Sequence, residues 1–201
     1  MRAPQDIFEW GWLVLFAAIC TVRKVHERKA GDRITVRGMP AIEAGLMILW
    51  GCLAGIAPLL LLFTPLLDFA NLPFHMPWPI RALGLALFAA AIWILHRSHA
   101  DLGRLWSPTV ELRDDHELVT TGVYRRVRHP MYTAHVLWGA SQAMLFPNVI
   151  AGPLALVVML AIMRIRIPRE ERAMLDRFGD DYRVYMERTG RVLPTIRAAP
   201  H

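Results

Sequence analysis

From Ala41 to Phe63 the chain carries a single charged residue, Glu43, and an apolar run of that length has few ways to fold in water. About 20 residues at 1.5 Å rise per residue cross the hydrocarbon of a bilayer, so this run predicts a membrane-spanning helix. Four more stretches read the same way: Ile7 to Val22, Ile80 to Leu95, Tyr132 to Phe146 and Val149 to Ile165. The last two are short and separated only by Pro147 and Asn148, a turn pair that predicts a tight helical hairpin. The expected class is an all-α integral membrane protein with about five transmembrane helices, a cytoplasmic cofactor-binding loop and a C-terminal amphipathic helix. A hydrophobic content of 55% agrees with it.

Charge tests the segmentation. Of 23 Lys and Arg, six lie between Arg23 and Pro40, six between His96 and Met131, and nine from Arg164 onward. Basic residues in short loops stay on the cytoplasmic side, so five crossings place the N-terminus outside and the C-terminus in the cytoplasm. The first stretch carries Asp6 and Glu9 at its start and a basic run after it, the reverse of a secretory signal, and reads as a retained anchor. The pI near 10.0 is then a topology signal. Charge split among membrane-flanking loops excludes a nucleic-acid partner, which needs a basic face on one module. Cys20 and Cys52 lie inside predicted spans without metal-ligand spacing and read as small apolar fillers.

The chemistry is concentrated in the second half. Residues 1–95 read as a three-span N-terminal region on the side of substrate entry. Residues 96–201 read as a catalytic region with a cofactor loop, a hairpin over 130–165 and a cytoplasmic C-terminal helix. In the loop, "ELRDDHELVTTG" alternates apolar and polar residues and ends in a Gly turn, so an extended segment is expected. In "RRVRHPMY" Pro130 fits the first turn of a helix, whose N-terminal amides favour a carboxylate. In the tail, Met174, Leu175, Phe178, Tyr182 and Tyr185 recur at three- and four-residue steps, predicting an amphipathic helix broken at Gly179. Arg166 and Glu170 are four apart and share one helical face, either as a surface ion pair or as part of a site at the membrane surface.

The blocks "LVTTGVYRRVRHPMY" and "REERAMLDRFGDDYRVYMERTGRVLP", in this order around a short hairpin, closely resemble the isoprenylcysteine carboxyl methyltransferase family. The resemblance implies a membrane enzyme that moves a methyl group from S-adenosylmethionine to the carboxylate of a prenylated cysteine or a similar lipophilic acceptor. By motif position, the cofactor falls to His116, Glu117, Leu118, Val119, Tyr124, His129, Pro130, Met131, Tyr132 and Glu170. Arg166 takes the substrate carboxylate and, with Glu170, forms the catalytic pair. Two positions depart from the pattern: Met174 replaces a Leu, a volume-conserving change, and Ala134 replaces a Gly.

Three other readings compete. Membrane sterol and steroid reductases resemble this family in their C-terminal half and use a nicotinamide cofactor, but their block reads Arg-His-x-Asn-Tyr where this chain has Met131 before Tyr132. A histidine-box metalloenzyme needs several ligand pairs, and His96 with His99 supplies one weak pair. A scaffold binding anionic lipid through basic loops does not explain the paired blocks. The Arg-rich composition points to a bacterial inner membrane, where the acceptor could also be a lipophilic thiol or amine, with Glu170 or His129 as base.

Overall fold

The computed structural model describes residues 3–30, 40–103 and 118–195. They form a helical bundle of α1 (Ile7–Ala30), α2 (Ala41–Gly51), α3 (Ala57–Phe63), α4 (Trp78–Leu102), α5 (Pro130–Leu145) and α6 (Leu154–Arg188). The calls at His116 and Glu117 lie outside the described residues. Among the described residues, two helical runs, Ala41–Phe63 and Trp78–Leu102, are long and apolar enough to cross a membrane. Val14, Ile48, Leu83, Trp93 and Val157 expose large apolar side chains on the outside of α1, α2, α4 and α6. Apolar surface spread over four helices suits a hydrocarbon solvent better than water.

The interior is aromatic. Trp12 stacks on Phe16 with centroids 4.8 Å apart and meets Phe146 edge-on at 5.5 Å, while Phe88 stacks on Trp138 at 5.5 Å. Helices α4 and α5 approach closely at Gly84, where a Cβ would stand 3.1 Å from the Ser141 carbonyl oxygen. Without water to drive apolar burial, such small-residue contacts are what hold membrane helices together.

The run from Ala41 to Phe63 is one continuous rod with a π-helical turn at Cys52–Ile56. Pro58 explains it. A proline at this position has no N–H for the Ala54 carbonyl four residues back, and its ring crowds that carbonyl, so the helix widens locally. Gln142 of α5, fully buried, supplies the missing donor: its Nε2 lies 3.2 Å from the Ala54 oxygen.

The hairpin differs from its expectation. After Leu145 the chain makes an ordered turn, and α6 begins at Leu154, not at Val149. Buried Asn148 holds that turn: its Oδ1 accepts from the amides of Ile150 and Ala151, and its Nδ2 donates to the Leu67 carbonyl and to Asn71 Oδ1. The expected last span and the tail helix are also one element. Pro168 is exposed, and the carbonyl it leaves without a partner belongs to exposed Arg164, where water can satisfy it. The interruption falls at Gly179, with φ 52° and ψ −121°, as the sequence suggests.

The polar contacts sort to the two ends of the bundle. At one end Asp6, which also caps α1 through the amides of Phe8 and Glu9, pairs with Arg81 at the start of α4. At the other, Glu43 at the start of α2 pairs with Arg169 of α6, and Asp101 at the end of α4 accepts from the Val123 amide at 2.8 Å.

Replacing Gln142 by Ala should lower stability by about 1–3 kcal/mol, the cost of a buried carbonyl left without a donor. A melting temperature in detergent equal to that of the wild type would show that the Ala54 carbonyl finds another partner.

Candidate functional site

Three backbone features bring the two sequence blocks together at the second of these ends. The first is a 3-10 turn at Gly122–Arg125, anchored to α4 by Asp101. Gly122 has φ 60°, and a Cβ there would stand 2.1 Å from Asp101 Oδ2, so the anchor requires glycine. The second is the start of α5, where His129 occupies the cap position and Pro130 the first turn, as expected. The third is the segment after α6, which turns back and lies parallel to Val127–His129. The amides of Arg128 and His129 donate to the carbonyls of Gly190 and Arg191 at 2.8 and 2.9 Å, and Thr133 Oγ1 donates to the Val192 carbonyl at 2.6 Å.

On this frame α6 sets two consecutive carboxylates against α5. Glu170 Oε1 accepts from the Tyr132 hydroxyl at 2.7 Å and from Arg166 Nε at 3.2 Å, and its Oε2 lies 3.6 Å from His129 Nδ1. Glu171 receives the other face of the same imidazole: His129 Nε2 is 3.3 Å from its Oε1. Arg128 Nε also reaches that oxygen at 3.1 Å, and Arg191 Nη2 reaches Oε2 at 2.5 Å. His129 is therefore wedged between neighbouring carboxylates, with guanidinium groups beyond each.

The protonation states follow. Burial disfavours the charged form of His129, but hydrogen bonds and charge from Glu170 and Glu171 outweigh it and raise its pKa above the ordinary value. Burial would raise Glu170, yet His129, the Tyr132 hydroxyl and Arg166 hold its carboxyl below the usual range. The same opposition, with His129 and Arg191 prevailing over burial, brings Glu171 down to about 2. Both carboxylates are ionised and the imidazole is a cation, so with Arg166, Arg128 and Arg191 the cluster keeps an excess of positive charge that favours a further anion.

Of the residues singled out in the sequence, His129, Tyr132, Arg166 and Glu170 converge. Tyr124 is buried beside them, its carbonyl accepting from the Tyr185 hydroxyl at 2.6 Å. Pro130 is buried at the helix start, Met131 is half-buried with its carbonyl 2.6 Å from His135 Nδ1, and Leu118 and Val119 are half-buried in the chain leading to the 3-10 turn. Arg166 Nη1 points across to α2, 2.9 Å from Met47 Sδ. The sequence reading missed Glu171 and Arg191 and left Arg128 open. The available signals were the doubled Glu and the Arg inside "GRVLP", which spacing alone cannot connect.

Comparison with known proteins gives a consistent picture. The model of the isoprenylcysteine carboxyl methyltransferase (ICMT) family matches residues 82–176. Protein-S-isoprenylcysteine O-methyltransferase A of Arabidopsis thaliana is 26% identical over 81% of this chain and 84% of its own. The probable protein-S-isoprenylcysteine O-methyltransferase of Oryza sativa subsp. indica is 27% identical over 59% of this chain, and the match spans 63% of the rice protein's length. The enzyme of Schizosaccharomyces pombe is 35% identical over 41% of this chain and 35% of its own. A solved structure of the eukaryotic intramembrane Ras methyltransferase ICMT shares the fold, with a TM-score of 0.54 and 20% identity over 90% of this chain and 67% of that one. These relatives are eukaryotic and lend the bacterial expectation no support.

The two shifted groups predict a stability profile with two edges. Glu171 stabilises the fold above its ordinary value of 4.5, and that contribution is lost as pH falls toward about 2. His129, with a raised pKa, stabilises fully below 6.5, and its contribution is lost as pH climbs through the folded value. Melting temperatures in detergent should be highest between about 4.5 and 6.5, and His129→Gln should remove the alkaline decline. An unchanged alkaline slope in that variant would show that another group titrates there.

Proposed function

Because the chain belongs to the isoprenylcysteine carboxyl methyltransferase family, we propose that it is a membrane enzyme methylating the carboxylate of a prenylated cysteine or a similar lipophilic acid with S-adenosylmethionine. The observation that carries the acceptor class is the protonation of the site. A thiol or amine needs a base, and both candidates are in the wrong state: Glu170 is held ionised with a lowered pKa, and His129 is held as a cation. A carboxylate arrives ionised and needs only to be oriented and stripped of water.

The residues present fit the cofactor. Its amino-acid carboxylate suits the first amides of α5, which have no acceptor within the helix, and the surplus of guanidinium charge. Its cationic sulfur suits the ionised Glu170 and the Tyr132 ring. We assign Leu118, Val119, Tyr124, His129, Pro130, Met131, Tyr132 and Glu170 to it, together with His116 and Glu117 from the sequence resemblance. When bound, S-adenosylmethionine supplies the electrophilic methyl group.

The chain's own residues do the remaining work. Arg166 is 7% exposed, its Nε is fixed by Glu170, and its Nη1 faces α2, where a bidentate contact would align an acceptor carboxylate. Tyr132 fixes the other side of Glu170, so the arginine keeps one orientation. Exclusion of water by the aromatic interior raises the reactivity of an oriented anion.

Five crossings, by α1, the α2–α3 rod, α4, α5 and the first half of α6, fit the sorting of polar contacts to two ends. With the basic segments at the site's end, the N-terminus lies outside and the C-terminus in the cytoplasm. Residues 1–95 then form the acceptor's entry side and residues 96–201 the catalytic region.

Purified protein in detergent should transfer label from S-adenosylmethionine to N-acetyl-farnesyl-cysteine. Arg166→Ala and Glu170→Ala should each lower kcat/KM by about 10²-fold or more. Full activity in both variants would remove the site assignment, and saturable binding of NADPH in place of S-adenosylmethionine would favour a reductase.

A further inference from the structure

We propose that Glu171 is a positioning residue that acts through His129 and Glu170 on Arg166, and that the returning segment Thr189–Val192 is the clamp that keeps it in register. The activity arm of this inference rests on the methyltransferase reading; the structural arm does not.

Glu171 is not placed to meet a ligand. Its side chain is 5% exposed, and both oxygens are engaged: Oε1 by Arg128, His129 and Arg191 Nε, and Oε2 by Arg191 Nη2. What it controls is the imidazole. By holding His129 Nε2, it turns Nδ1 toward Glu170 Oε2, and Glu170 in turn holds Arg166 Nε. The chain Glu171, His129, Glu170, Arg166 thus alternates negative and positive groups from the clamp to the acceptor-binding guanidinium. Each step is short enough to fix the next, and an imidazolium can donate to both carboxylates at once.

The clamp is built to hold this order. Arg128, adjacent to the imidazole, donates through Nη1 to the carbonyls of Met186 and Thr189 as well as to Glu171. The Gly190 backbone leaves no room for a side chain, since a Cβ would fall 1.7 Å from the Leu193 carbonyl oxygen. Arg191, whose side chain is 53% exposed, closes Glu171 from the solvent side. The charged and titratable groups around the imidazole are Glu170, Glu171, Arg128 and Arg191, with Tyr132 on α5 and Tyr182 beyond the break in α6.

The test compares the wild type, Glu171→Gln, Glu171→Asp and Arg191→Ala, all as the full chain in detergent. The His129 imidazole is followed by nitrogen-15 NMR, and methyl transfer to N-acetyl-farnesyl-cysteine is followed against pH. In Glu171→Gln the imidazole should titrate at lower pH, the alkaline limb of kcat/KM should move down with it, and activity at the optimum should fall about tenfold or more. Glu171→Asp should restore the limb, and Arg191→Ala should shift it part of the way. A folded Glu171→Gln protein whose His129 titrates as in the wild type overturns the inference. If the wild type transfers no methyl group, the methyltransferase reading fails, and the NMR titration still decides whether Glu171 governs His129. Loss of helical signal in Glu171→Gln would assign Glu171 a folding role and overturn the positioning role, unless Arg191→Ala, folded, moves the titration.

Discussion

One imidazole between two neighbouring carboxylates organises the polar end of this protein. Glu170 and Glu171 are consecutive on α6, so their side chains diverge around the helix, and burying both without partners would be prohibitive. His129 occupies the space between them and is held charged by them. The remaining oxygen positions then recruit groups from four places: Arg166 one turn earlier on α6, Tyr132 one turn into α5, Arg128 before α5, and Arg191 from the returning segment. The fold around the site is the set of chain paths that satisfies those two carboxylates.

The apolar half obeys the same rule with a different partner. A widened turn is forced on the second span by Pro58, and the carbonyl it exposes at Ala54 has no water to turn to in a bilayer. Gln142 answers it from α5 and thereby fixes the depth of α5 against the α2–α3 rod. That depth decides how far the α5 N-terminus, with His129 and Tyr132, projects toward α6. A backbone irregularity in the apolar interior and the registration of the polar site are thus parts of one constraint.

What the sequence made legible divides along the range of the interactions. The apolar runs announced the helices, and the four-residue offset of Arg166 and Glu170 announced a contact that α6 makes within a single turn. The proline at 130 marked the start of α5. The motif resemblance brought His129 and Tyr132 to the same neighbourhood. Glu171 stayed hidden because its partners lie 43, 42 and 20 positions away, and their convergence depends on the returning segment. Gln142 and Asn148 stayed hidden because one amide in an apolar stretch looks neutral until the carbonyl it serves is known. Pro168 misled in the opposite direction: it argues for a helix boundary, and its exposed position permits none.

The continuity of α6 through Pro168 has a chemical consequence. Arg166 sits within two turns of the buried Ile162 and Glu170 one turn beyond it, on a rod that passes without a break from the apolar bundle to the charged cluster. The proposed reaction joins an anion to a cation, so charge vanishes as the bond forms, and a low-dielectric setting favours that step more than water does. Binding the two ionic partners needs the reverse, a place where charge is tolerated. A rigid helix that carries the guanidinium at the edge of the apolar interior and its carboxylate partners one turn further out places both conditions within a single side-chain length. A lipophilic acid could then keep its chain in the bundle while its carboxylate stops at Arg166, which would set the depth of the acceptor by electrostatics and not by chain length.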